Sequence, residues 1–241
     1  MRDNVAQILI LWYNNDNKKE DLMISETELI RKYCSEHKND IFDVGFLHKT
    51  LFNHLSESSF RKFVSRLADE KILFPVGKGI YTIGQIDDLE NATIKHYTYA
   101  LCGTPAGDYL FYLKGINKDK PDIIELCSNR ICGGKTIGNV KVYECGIFNF
   151  SPEVVTCITY MESLKAHNEK YMDWLTSGQL ENVTRDLKNL TDAEIESLIL
   201  KTNYSRMIYI QLAKLFKVCD VSSNIESYIE KKWNIVSERV K

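Results

Sequence analysis

The chain is poor in the residues that break or loosen structure. Four prolines and twelve glycines in 241 residues exclude collagen-like and linker-like architectures. No run reaches the eighteen or more apolar residues that a membrane-spanning helix needs. Neither sign of charge is in excess: 31 Lys and Arg stand against 33 Asp and Glu, for a formal net charge of −2. No whole-molecule positive field therefore draws in nucleic acid, and any surface for it must be local. The seven cysteines include no C-x-x-C pair. Their scatter through apolar stretches such as "IIELCSN" and "KVYECG" is that of reduced, buried thiols in a cytosolic protein. The apolar run from Val5 to Tyr13 has no basic n-region and no small-residue cleavage site, so it does not read as a signal peptide. These absences together predict a cytoplasmic protein with no membrane partner.

What is present is the composition of a folded chain, 44% hydrophobic and 27% charged, long enough for one large domain or two ordinary ones. The reading is α+β: an N-terminal winged helix-turn-helix over residues 1–86, then an α/β domain over 87–241 whose last part, 161–241, is helical. In the first zone "SETELIRKYCSEH" opens with Ser25 and Glu28 at capping-box spacing. A second helix is predicted after Asp43, carrying Val44, Leu47 and Leu51. A third runs through "SSFRKFVSRLADEKI", with Phe60, Phe63, Val64, Leu67 and Ala68 at the spacing of a buried face. Its other face carries Ser58, Ser59, Arg61, Lys62, Ser65 and Arg66. Two β-prone runs, 73–76 and 80–83, then flank Gly77-Lys78-Gly79, a hairpin signal.

Three helices followed by a hairpin is the order of a winged helix, and residues 45–85 hold six cations against three acids. The third helix then presents cations and hydroxyls to double-stranded DNA. Arg61, Lys62 and Lys78 are assigned to phosphates, and Ser59, Ser65 and Arg66, with Ser58 beside them, to the surface that reaches base edges. The competing reading of the same pattern is a solvated basic face on a protein-interaction module.

Further along, a helix is predicted from about Leu89, a break at Gly103-Thr104-Pro105, a helix from Ala106 to about Leu113, and strands at 123–128 and 140–145, with a short one at 129–132. Helices follow at 161–175, after Thr191 with Glu194 completing a capping box, at 204–217 and at 224–238. Catalytic motifs are weak. Gly134-Lys135-Thr136 ends like a P-loop, but the sequence after it reads as turn and strand, not as the helix a P-loop requires. Cys127, Cys132 and Cys145 match no zinc spacing, and His96 and His167 stand apart from other ligands. Asp87, Asp88 and Glu90 read as helix-start acids, and Tyr171, Trp174, Tyr228 and Trp233 as core or interface aromatics. No enzyme, cofactor or metal is expected.

The stretch "SSFRKFVSRLADEKILFPVGKGIYTIG" resembles the N-terminal module of AbiEi-type antitoxins of bacterial type IV toxin–antitoxin systems, with its G-x-G-x-Y wing matched by Gly77, Gly79 and Tyr81. "GTPAGDYLFYLKGINKDKPDIIELCSN" is similar to the following module of one branch of that family, at Pro105 and Gly107, Leu113 and Gly115, and Pro121. "KTIGNVKVYECG" resembles the basic hairpin after it. The likeness covers about residues 25–150. It implies a regulator that represses its own operon through the winged helix, and an antitoxin that counteracts a nucleotidyltransferase-like toxin without a stable complex. The wing departs from the pattern in holding only Lys78 where relatives are richer in arginine.

Overall fold

The computed structural model describes residues 25–147, 149–166 and 177–239. The readings that rest on Val5 to Tyr13, His167, Tyr171 and Trp174 lie outside them. The fold is mixed α+β, with two small sheets and ten α-helices among the described residues. Contacts divide the chain after Lys38. The first unit contributes α1 (Glu26–Glu36), started by the predicted capping box: Ser25 Oγ accepts the Glu28 N–H, and the Glu28 carboxylate accepts the Ser25 N–H at 2.9 Å. Ile30 and Cys34 form its buried stripe.

The second unit opens with β1 (Ile41–Asp43), α2 (Val44–Thr50), α3 (Glu57–Asp69), β2 (Leu73–Gly77) and β3 (Ile80–Ile83). The strands form an antiparallel sheet in the order β1-β3-β2. Strand β1 was not anticipated; three residues are too few to show an alternation, and their partners lie some forty positions away. Next come α4 (Leu89–Thr98), a 3₁₀ turn (Tyr99–Leu101), β4 (Gly103–Ala106), α5 (Gly107–Leu113), β5 (Ile124–Ser128), β6 (Lys135–Ile137) and β7 (Val140–Glu144). The second sheet has the order β4-β5-β7-β6, with β5 and β7 parallel and the outer pairs antiparallel.

Two expectations are corrected here. Gly103-Thr104-Pro105 is a strand, not a break. Proline is tolerated because β4 lies at the sheet edge, and Gly103 is required because a Cβ there would stand 2.3 Å from the Tyr97 carbonyl oxygen and 2.5 Å from that of Cys127. The short strand expected at 129–132 is irregular chain, and the third strand of that region is β6.

Alternating residues of β5 and β7 (Ile124, Leu126, Val140, Val142) share one core with Ile41 and Ile80 of the first sheet, Tyr97 of α4 and Tyr109 of α5. The chain closes with α6 (Pro152–Lys165), α7 (Ser177–Asn189), α8 (Asp192–Lys201), α9 (Arg206–Val218) and α10 (Ile225–Arg239). Helix α6 begins nine residues before the start of the helix expected at 161–175, of which 167–175 lie outside the described residues. It starts at Ser151, whose hydroxyl accepts the Val154 N–H at 3.3 Å, with Pro152 in the first turn, a strong start signal. Buried on every side, from Val154 to Ser163, it is the centre around which α7, α8 and α9 pack. Tyr228 and Trp233 pack against the same core, as their spacing predicts. No helix among the described residues is long and apolar enough to cross a membrane.

Candidate nucleic-acid interface

Helix α3 owes its start to a serine the sequence reading did not single out. Ser56 is the N-cap, its hydroxyl accepting the Ser59 N–H at 3.1 Å. The same hydroxyl donates to Ser59 Oγ at 2.8 Å and lies 3.1 Å from Ser58 Oγ. Two of the predicted contact residues, Ser58 and Ser59, are therefore tied into the cap, and Ser59 is only half-exposed.

The inner face is built as the spacing predicts: Phe60, Val64 and Leu67 are buried, with Phe63 and Ala68 partly so. The Phe60 ring lies 5.1 Å from Phe52, 5.4 Å from His48 and 6.2 Å from Phe42, while His48 Nε2 stands 2.9 Å from the Leu55 carbonyl oxygen. That aromatic cluster locks α3 to α2 and β1, which fixes the direction of the outer face.

On the outer face Arg61, Lys62, Ser65 and Arg66 are exposed together. Arg61 is not idle: its Nε and Nη2 donate to Glu57 Oε1 at 3.0 and 2.8 Å, and this pairing holds the Glu57 carboxyl below its ordinary pKa. The Arg66 guanidinium sits 5.8 Å from the Phe63 ring centroid, a cation–π contact that holds the side chain along the helix. The cations are carried by a rigid helix and turned outward, an arrangement able to bind a phosphate backbone.

The β2–β3 hairpin is the second element. Its register shifts at Pro75/Gly77, and Gly79 turns the tip with φ +71°, a value that favours glycine. Lys78 projects exposed from the tip. The hairpin is not free-standing. The Gly79 carbonyl accepts the Val44 N–H at 3.0 Å, the Lys78 carbonyl accepts from Lys135 Nζ at 3.3 Å, and a Cβ on Gly77 would stand 3.1 Å from the Thr136 carbonyl oxygen. The tip is thus pinned between α2 and β6, a contact between residues 57 apart in sequence that no local pattern announces.

Gly134-Lys135-Thr136 leads into β6, which pairs with β7 as a hairpin, as expected in place of a P-loop. Asp88 caps α4, accepting the Asn91 N–H at 2.9 Å. Glu90 bonds Lys120 at 2.5 Å and Asn139 at 2.6 Å. His96 is a buried core histidine bonded to Asp40. Among the described residues, no group of three or more His, Cys, Asp or Glu side chains is arranged to hold a metal. No protein family and no curated protein matches the chain.

Proposed function

We propose that the chain is a non-enzymatic, cytoplasmic DNA-binding regulator of the AbiEi antitoxin type, with residues up to about 86 acting as a winged helix-turn-helix. In this reading α3 lies in the major groove and the β2–β3 hairpin is the wing. The observation that carries it is the outer face of α3, where Arg61, Lys62, Ser65 and Arg66 stand exposed on a helix locked from behind by Phe60. The element order from β1 to β3 and the antiparallel order β1-β3-β2 support it. Autorepression of a toxin–antitoxin operon, and a nucleotidyltransferase-like toxin as functional partner, follow from the family resemblance.

The test is fluorescence anisotropy of the full chain with the duplex upstream of its own gene and a scrambled duplex, at two salt concentrations. Salt-sensitive preference for the upstream duplex is the expected result. Equal weak binding to both, or none, overturns the reading.

A second reading, a protein-interaction module that uses the same helices as scaffold, draws on the segment after α4. There Tyr99 and Leu101 are 60% and 47% exposed in one 3₁₀ turn, where Ala100 and Leu101 are left-handed with φ 53° and 61°.

A further inference from the structure

Three separate segments meet at the tip of the β2–β3 hairpin: the first turn of α2, the hairpin itself, and the chain entering β6. The Val44 N–H reaches Gly79, Lys135 Nζ reaches the Lys78 carbonyl, and Gly45 approaches Cys132, whose Cβ would lie 3.5 Å from an added Cβ. The hairpin and the chain entering β6 each bring a cation, Lys78 on the tip and Lys135 at the start of the strand; Lys49, in the last turn of α2, and Lys135 both lie near enough to act on the Cys132 thiol. Two acids stand nearby. Asp43 is 1% exposed and caps α2, and Glu144 accepts the Gly133 N–H at 2.8 Å.

We infer that Lys135 belongs to the DNA-contacting surface, so that the central sheet supplies a phosphate contact beside the wing. The inference rests on the DNA-binding reading. Lys135 Nζ is within hydrogen-bond distance of the Lys78 main chain, so a phosphate that meets the wing tip also meets Lys135. One of the three ammonium protons is used on the Lys78 carbonyl, which leaves two for an incoming oxygen and fixes the head group in place. Its partner there is a neutral carbonyl and not a carboxylate, so this contact is no ion pair, and counterion release at a phosphate needs a cation presented in this way. The wing's single cation is thereby doubled without lengthening the hairpin.

The experiment is salt-dependent anisotropy of the full chain with its upstream duplex, comparing wild type, Lys135→Gln and Lys135→Arg, each checked for an unchanged thermal melt. The expected result for Lys135→Gln is a plot of log K against log salt flatter by about one unit, so that raising salt from roughly 50 to 200 mM weakens it about 3.5-fold less than wild type. Lys135→Arg should restore the slope. A Lys135→Gln slope equal to wild type overturns the inference while leaving the DNA-binding reading intact. Weaker binding with an unchanged slope also overturns it, because Lys135 would then only prop the wing. Should wild type bind no duplex at all, the reading beneath the inference fails and the inference goes with it.

Discussion

His96 Nδ1 lies 2.7 Å from Asp40 Oδ1, tying α4 to the residue just before β1, while His96 Nε2 is buried without a hydrogen-bond partner. The His96 carbonyl accepts from Arg130 Nη1 at 3.1 Å, so one turn of α4 is held from both the first sheet's entry and the loop after β5. The pair spans 56 positions and crosses the boundary at residue 86 that the order of helices and hairpin predicts.

Burial pushes the Asp40 carboxyl upward, but its hydrogen bond and attraction to His96, the Ile41 N–H and Arg130 outweigh this and leave its pKa below the ordinary value. A carboxyl lowered by folding adds stability above its unfolded pKa of about 3.9 and loses it as pH falls through the folded value. The melting temperature of wild type should therefore fall more steeply than that of Asp40→Asn below about pH 4. Asp40→Ala, which strands a buried imidazole nitrogen, should cost about 1–3 kcal/mol at neutral pH. Parallel acid limbs for wild type and Asp40→Asn would remove the pair from the stability account.

Asp43 behaves in the opposite sense. Burial raises its pKa despite the N–H groups of Phe46 and Gly45 and the Lys135 charge, and the buried Tyr97 hydroxyl donates to its second oxygen at 3.4 Å. A carboxyl raised by folding loses stability as pH climbs from the unfolded pKa through the folded one. Asn keeps an N-cap oxygen and carries no charge, so the stability of Asp43→Asn relative to wild type should improve between about pH 4 and pH 7. Asp43→Ala should lose about 1 kcal/mol or more from the missing cap. Chemical denaturation at both pH values reads the two differences.

The two faces of α3 should separate cleanly. Phe60→Ala empties the ring cluster with Phe42, Phe52 and His48 and should cost about 3–5 kcal/mol. Lys62→Ala, on the exposed face, should stay within about 0.5 kcal/mol of wild type. Urea midpoints measure both, and a large loss at Lys62 would show that the outer face is covered.

That separation was legible because it repeats every three to four residues within one helix. The capping boxes at Ser25 and Thr191 were equally legible, since both partners lie within three positions. The Ser56 cap was blurred by three serines in four residues, any of which has the required hydroxyl. Strands β1 and β4 escaped because short edges take their identity from distant partners, and β4 carries Gly103 and Pro105, residues that ordinarily punctuate. Of the candidate interface, the direction of Arg61, Lys62, Ser65 and Arg66 follows from periodicity. The Glu57 clasp on Arg61 sits at the i, i+4 spacing that favours such a pair and was available to the same reading. The pinning of Lys78 by Lys135 was not, for it depends on how two sheets meet.

Glu57 holds the guanidinium that the DNA-binding reading assigns to a phosphate. Glu57→Gln removes an acid from the interface and releases Arg61, so binding to any duplex should tighten and its salt dependence steepen by about one unit. Unchanged binding would place Arg61 outside the contact surface. The same titration, run with a scrambled duplex, distinguishes a general electrostatic gain from a specific one.

Arg66 and Lys78 should fail in different ways. The Arg66 guanidinium, held along α3 over the Phe63 ring, is the donor fork suited to a guanine edge, worth about 1–3 kcal/mol of discrimination. Arg66→Ala should therefore weaken the upstream duplex more than the scrambled one. Lys78, exposed on a tip fixed by Val44 and Lys135, meets only backbone in this reading. Lys78→Ala should lower affinity evenly and flatten the salt slope by about one unit. If Arg66→Ala costs the same on both duplexes, α3 contributes charge without reading sequence, and specificity must be sought in the deformability of the DNA.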